Sequence, residues 1–252
     1  MDKNLTTLFT GRKRISLRET ESTNQYLSAL AQAEKIPEGT AVVADFQTAG
    51  QGLAGTKWHS EPGANLLMSL FFLPDFLPVK KIYLISKAVA LGIKDFLDEQ
   101  GIQAKIKWPN DTYVGESKIS GVLIENSIRG MQIQQSIVGI GLNVNQLVFP
   151  KEVPNPVSMH SITGHTYSIE VCFTNLCRHL EKRYLQLKNE DFNLINNDYL
   201  KSLFRFYEME LYESAAGKFY AQIIDVEDEG KLVLKRSDGG LQRFGFKEIK
   251  FL

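Results

Sequence analysis

The sequence predicts an α+β protein, a mixed β-sheet flanked by helices over residues 1–205 followed by a small β-barrel over 206–252. Three observations lead there. Two long amphipathic helices are interleaved with short alternating segments. Glycine, proline and Asx turn signals bound those segments. After Leu211 helical periodicity stops and only short alternating runs remain. A chain of 252 residues suits one large domain, or one of ordinary size with an appendage.

Taken in order, Glu19 to Ala33 reads as a helix entered through Ser22-Thr23-Asn24, with Tyr26, Leu27, Leu30 and Ala31 on one face. A strand from Thr40 to Phe46, a glycine-rich loop and a strand from Leu66 to Leu73 follow. Lys81 to Gln100 carries Ile82, Ile85, Val89, Ile93, Phe96 and Leu97 at helical spacing, and Gly101 supplies the residue past its C-cap. Next come a strand at Lys105-Ile106-Lys107-Trp108, a hairpin around Gly115-Glu116, strands at Ser120 to Glu125 and Ser136 to Asn143, and a helix from Ser168 to Leu187. Phe219 to Val226, Lys231 to Lys235 and Leu241 to Phe246 form the appendage, split by Asp228-Glu229-Gly230 and Asp238-Gly239-Gly240 turns. It is small enough to need support from the main domain.

Composition narrows the function. Lys+Arg and Asp+Glu both total 29, so no global field draws the chain to nucleic acid or anionic membrane. The opening Met1-Asp2-Lys3-Asn4-Leu5 leads into no apolar h-region, and no run reaches membrane-spanning length, so a cytoplasmic protein is expected. Cys172 and Cys177 are not spaced as a metal-type pair and read as buried thiols. His59, His160, His165 and His179 show no ligand spacing, so no resident metal site is expected.

Three segments carry chemistry. In Lys107-Trp108-Pro109-Asn110-Asp111, alternation places Lys107 at the end of an apolar strand that Pro109 stops abruptly, because proline lacks the N–H that a ladder needs. Lys107 is either a solvated edge lysine or a cation held for catalysis. The segment Gln47 to Trp58 contains a literal G-x-G-x-x-G, but Thr56 to Gly63 would make a poor helix, which argues against a Rossmann site. What its glycines permit is close approach of backbone N–H groups to an anion. In Ile137 to Val144, Val138, Ile140, Leu142 and Val144 share one face, leaving Gly139, Gly141 and Asn143 on the other. Such a face either packs against another backbone or opens for a flat ligand.

Together with Glu21-Ser22-Thr23-Asn24, Gly63-Ala64-Asn65-Leu66 and Lys118 to Glu125, these segments resemble, in order and over nearly the whole chain, the biotin protein ligases. The resemblance implies a class II synthetase-like catalytic domain with an SH3-like C-terminal barrel. It implies an enzyme that makes biotinyl-5′-AMP from biotin and MgATP, then transfers biotin to one lysine of a biotin carboxyl carrier protein or domain. Lys107 is the expected catalytic cation, offsetting repulsion between carboxylate and phosphate. Ser22, Thr23, Asn24, Gln47, Gly50, Gln51, Gly52, Leu53, Lys107 and Gly121 would hold biotin, while Gly55, Trp58, Asn110, Lys118 and Asn143 would hold ATP or the adenylate.

One departure stands out: the family's loop commonly reads G-R-G-R-R-G, and this chain has Gln51, Leu53 and Ala54 in place of the arginines. Weaker retention of the adenylate is expected from the lost charged contacts. The stretch before Ser22 is too short for a helix-turn-helix, so a short form without a repressor domain is expected. Family members can dimerise through strand edges, which leaves a homodimer open. Two other readings compete: a lipoate- or octanoate-type acyltransferase, and a biotin-binding homologue without turnover.

Overall fold

The computed structural model describes residues 7–252, apart from the side chain of Ala54, so the opening segment Met1 to Leu5 lies outside the described residues. Chain order is β1 (Arg14–Thr20), α1 (Thr23–Ala33), β2 (Ala41–Gln47), β3 (Leu66–Phe72), α2 (Tyr83–Glu99), β4 (Lys105–Lys107), β5 (Asp111–Val114), β6 (Ser117–Arg129), β7 (Gln132–Leu142), α3 (Met159–Thr163), α4 (Ile169–Lys188) and α5 (Phe192–Ser202). The C-terminal strands are β8 (Glu210–Ser214), β9 (Gly217–Val226), β10 (Leu232–Arg236), β11 (Leu241–Phe244) and β12 (Ile249–Phe251).

The main sheet has seven strands in the order β1-β2-β3-β7-β6-β5-β4, mixed because β1 and β2 are parallel and the remaining pairs antiparallel. Leu66, Met68, Leu70 and Phe72 of β3, with Val138, Ile140 and Leu142 of β7, pack into the core built by α2 and α4. On the other face α1 buries Leu27 against Val42, Phe71 and Ile137. Helix α2 ends as its residues dictate, with Gln100 as C-cap and Gly101 at φ 75°, a conformation that glycine adopts without strain.

The second sheet is five-stranded and antiparallel, in the order β11-β10-β9-β8-β12, and forms the SH3-like unit. Tyr212, Phe219, Phe244 and Phe251 contact one another inside it. Gly230 and Gly239 turn its hairpins at φ 96° and 88°. The appendage leans on the main domain through polar contacts as well as apolar ones: Trp108 Nε1 donates to the Gly230 carbonyl at 2.9 Å, and the buried Lys87 ammonium donates to the Val226 carbonyl at 2.6 Å and to Asn196 Oδ1 at 2.8 Å.

Two sequence expectations change. Glu19 and Thr20 belong to β1, where they pair with Phe46 and Gln47, and the helix starts only at Thr23. The β6–β7 hairpin runs well beyond Glu125 and Ser136, out to Arg129 and Gln132, because Pro78 bridges Gln132 and the Leu77 carbonyl accepts from Ile133. Among the described residues no helix is long and apolar enough to cross a membrane. Both cysteines are free and buried, and burial pushes the Cys172 thiol up to about 11.

Candidate active site

The parallel β1–α1–β2 unit sets the first wall. Its strand ends bring Ser22, Thr23 and Asn24, at the start of α1, beside Gln47, at the end of β2. Ser22 occupies the N-cap position, yet its hydroxyl makes no cap hydrogen bond, which leaves it free to serve the pocket it lines. Gln47 Oε1 accepts from the Thr23 N–H at 2.8 Å. Asn24 Oδ1 accepts from the Ser69 hydroxyl at 2.6 Å, while its amide donates to Glu125 at 2.7 Å. Hydrogen bonds thus link Gln47, Thr23, Ser69 and Asn24 as one run of neutral groups, with the Ser22 hydroxyl left over.

The floor is the glycine face of β7. Along that face Ile137 packs beneath α1, and Gly139 and Gly141 then leave the surface without side chains. Both are occupied from above: a Cβ at Gly139 would overlap the Asn24 amide, and one at Gly141 would overlap the Trp58 indole. Gly121 of β6 lies opposite Gly141 in register and extends the floor. A Cβ there would lie 3.0 Å from the Trp58 ring and 3.2 Å from Lys118 Nζ. The face is therefore neither backbone packing nor open space; it receives side chains from α1 and from the glycine loop.

That loop does not begin a helix. Gln51 and Lys57 form an isolated bridge around a single 3₁₀ turn at Leu53–Gly55, and the Trp58 N–H donates to the Gly50 carbonyl at 2.9 Å. Gly55, at φ 84°, closes the turn.

Lys118 enters from the start of β6. Its ammonium is 2.6 Å from Asp111 Oδ1 and 5.6 Å from the Trp58 ring centroid. Burial raises the pKa of Asp111 above its ordinary 3.8, opposed by the Lys118 and Lys107 charges. Asn143, at the end of β7, donates to the Val157 carbonyl at 3.0 Å, while its Oδ1 is buried without a partner among the described residues.

These groups line two cavities. A small one of about 40 Å³ holds Ser22, Thr23, Asn24, Gln47, Gln51, Gly52, Leu53 and Gly121, with Lys118 as the one charged side chain among the described residues on its wall. A larger one of about 560 Å³ runs outward past Asn143, Tyr113 and Phe149 to Phe246 of the SH3-like unit. Leu53, Trp58, Asn110 and Lys118 line both. Asn110 also donates to the Val122 carbonyl at 2.8 Å, which holds the turn before β5 on the floor strand.

Three expected residues fall outside both cavities. Gly50 faces a neighbouring recess between the loop and Gln146, and Gly55 stands at the exposed end of the turn. Lys107 lines neither cavity: its ammonium lies 4.3 Å from the Tyr113 ring centroid, 5.5 Å from Phe204 and 5.4 Å from Phe251, at the seam with the SH3-like unit. Burial lowers its pKa. Asp111 and Phe246 also line the larger cavity, and nothing in the sequence singles them out: the first follows Pro109-Asn110 and the second ends the last alternating run of the appendage.

The chain is similar to known proteins over most of its length. The profile of the biotin/lipoate A/B protein ligase family matches residues 16–143. The bifunctional ligase/repressor BirA of Bacillus subtilis is 33% identical over 212 residues, covering 81% of this chain and 63% of the relative, so the chain spans somewhat under two thirds of that protein. The biotin–acetyl-CoA-carboxylase ligase of Paracoccus denitrificans is 30% identical over 243 residues, covering 93% of this chain and 99% of the relative. Among solved structures, a biotin protein ligase from Aquifex aeolicus in complex with biotin and ATP superposes with a TM-score of 0.79 at 26% identity, covering 95% of this chain and 98% of that one.

Proposed function

The chain belongs to the biotin/lipoate A/B protein ligase family, and on that premise we propose that it is an ATP-dependent biotin protein ligase. The observation that carries this reading is the position of Lys118, a single cation where a small pocket of neutral hydrogen-bonding groups meets a cavity large enough for a nucleotide. A carboxylate acylates an amine only after its oxygen has been turned into a good leaving group. Joining it to the α-phosphate of ATP does this, with pyrophosphate departing, but requires two anions to meet.

In this reading Ser22, Thr23, Asn24 and Gln47 bind the ureido ring, which offers one carbonyl and two N–H groups to neutral partners. Gln51, Gly52, Leu53 and Gly121 contain the valeryl chain. Gly50 and Gly55 act through the loop's backbone shape. Trp58, Asn110 and Asn143 serve the nucleotide side, where the unpartnered Asn143 Oδ1 offers an acceptor. Lys118 takes the catalytic role first expected of Lys107: it lies between carboxylate and phosphate and stabilises charge on the phosphoryl oxygens. Mg²⁺ arrives with the ATP phosphates as part of that substrate. The carbonyl of the adenylate is then attacked by the amine of the carrier lysine, releasing AMP.

We place the domain boundary at 205/206, supported by the change of sheet between α5 and β8. The carrier protein is the expected macromolecular partner, the neutral formal charge gives nucleic acid no electrostatic purchase, and the cytoplasm is the location expected for it. Intact mass of a biotin carboxyl carrier domain, incubated with this protein, biotin and MgATP, tests the reading. One biotinyl addition, absent with Lys118→Ala and present with Lys107→Ala, is the expected result. No addition to a competent carrier, or addition of lipoate in preference to biotin, would overturn it.

A further inference from the structure

The small pocket has the polar groups for a bicyclic ligand but not the room. About 40 Å³ accommodates a water or two, whereas sites for small molecules run to several hundred Å³. What fills the remainder is Trp58. Its indole lies on Gly141, touches Gly121 and caps the Lys118 ammonium. It also lines the small pocket, the large cavity and the recess beside Gly50. The indole is thus the partition between the two chambers whose contents the proposed reaction must join.

Two further observations mark this position as one the ring can leave. Trp58 Nε1 is buried without a hydrogen-bond partner among the described residues, a poor resting place for a group that is only a donor. The residue is carried by a loop whose members Gln51, Gly55, Thr56 and Lys57 are exposed, and its backbone N–H is bonded to Gly50 of that same loop. The other tryptophan behaves differently: Trp108 is buried and its Nε1 is bonded to the Gly230 carbonyl.

We propose that Trp58 is a displaceable plug that holds the seat of the acid substrate's side chain and carboxylate on the Gly121–Gly141 floor and swings off when that substrate binds, merging the two chambers around Lys118. This rests on the proposed ligase function and deepens it, because Trp58 then controls access of the acid as well as serving the nucleotide side. A gate of this kind slows association, since binding waits for the open state.

The test is stopped-flow tryptophan fluorescence on mixing with biotin alone, with calorimetry as an independent measure of binding. Wild type is expected to give a fluorescence change whose rate levels off as biotin increases. Trp58→Phe, which keeps Trp108, should bind biotin by calorimetry while losing the signal. Trp58→Ala, followed like the other two proteins by rapid-filtration capture of radiolabelled biotin because its own signal is gone, should associate about ten-fold faster or more, at a rate linear in biotin, because the waiting step is gone. Calorimetric binding with no Trp58-dependent signal, or unchanged association in Trp58→Ala and Trp58→Phe, would overturn the plug and leave the ligase reading standing. Absence of any biotin binding in the wild type would overturn both.

Discussion

Lys107 and Lys118 stand on the outer strands of one β4–β5–β6 meander, and Asp111 on the strand between them acts on both charges. Their surroundings could hardly differ more. Lys118 meets a carboxylate at 2.6 Å, an indole and the polar pocket, so its charge faces ligand space. Lys107 faces Tyr113, Phe204 and Phe251, the last of which belongs to the SH3-like unit. One lysine is placed to act on a substrate, and the other joins two parts of the protein. A rigidly held cation near an active site is therefore not by that fact a catalytic one; what its ammonium faces decides.

The largest expected effect separates the two directly. Lys118→Met keeps the alkyl stem and removes the charge, and should lower the rate of adenylate formation by about 10²–10³-fold or more, as loss of a preorganised charge-stabilising group does elsewhere. Lys107→Met should leave that rate within a few-fold of wild type. Pyrophosphate release under single-turnover conditions measures both. Equal losses in the two variants would erase the distinction.

A smaller effect sharpens what Lys118 does alone. Because the small pocket has no other charged lining among the described residues, the adenylate's phosphate has few cationic partners there. Leu53 lines both chambers, so Leu53→Arg should add a charged contact and slow adenylate release by about 10–100-fold, the equivalent of roughly 1.5–3 kcal/mol for a hydrogen bond to a charged group. Retention of labelled adenylate through a desalting column reads this out. An unchanged off-rate would mean that Leu53 does not face the phosphate.

The distinction between the lysines was not legible in the sequence, and the reason is physical. Strand alternation says which side of a sheet a residue takes, but not what lies there; the bulge between Thr112 and Tyr113 and the approach of Phe251 from a distant strand set the surroundings of Lys107. Helix α2 was legible because Ile85, Val89, Ile93 and Phe96 repeat at helical spacing and all are buried. Strand β1 was not, because only Ile15 and Leu17 mark its inner face and its parallel partner is contributed after a helix. Helix α5 was hidden by Asn193, Asn196 and Asn197, poor helix formers held there by burial of Ile195 and Tyr199. The glycine face of β7 was visible from Gly139 and Gly141; that an indole rests on it was not.

At the seam the effect should be on stability. Lys107→Ala removes the cation from three rings and should lower stability by about 1–2 kcal/mol, the range for a partly desolvated cation–π contact. Chemical denaturation followed by near-ultraviolet circular dichroism would register the loosened aromatic packing. A variant as stable as wild type would mean that Lys107 merely tolerates its surroundings.

The smallest effect concerns Asp111, which both lysines pull in one direction and burial in the other. Burial wins, so the carboxyl binds its proton more tightly in the folded protein than in the unfolded chain. A group of this kind favours folding fully below the unfolded-state value, near 3.8, and that contribution is lost as pH rises through the folded-state value. Asp111→Asn has no such proton. It should shift stability by a constant amount for the changed local packing and, in addition, gain on wild type as pH rises through the carboxylate range. Only the slope reports on the Asp111 proton. Denaturation midpoints of the two proteins from about pH 3 to pH 7 measure it. A wild type that gains on Asp111→Asn as pH rises would mean that the lysines outweigh burial and that Asp111 is held as a firm counter-ion; a wild type that loses ground describes an anion poised to release Lys118 to a substrate.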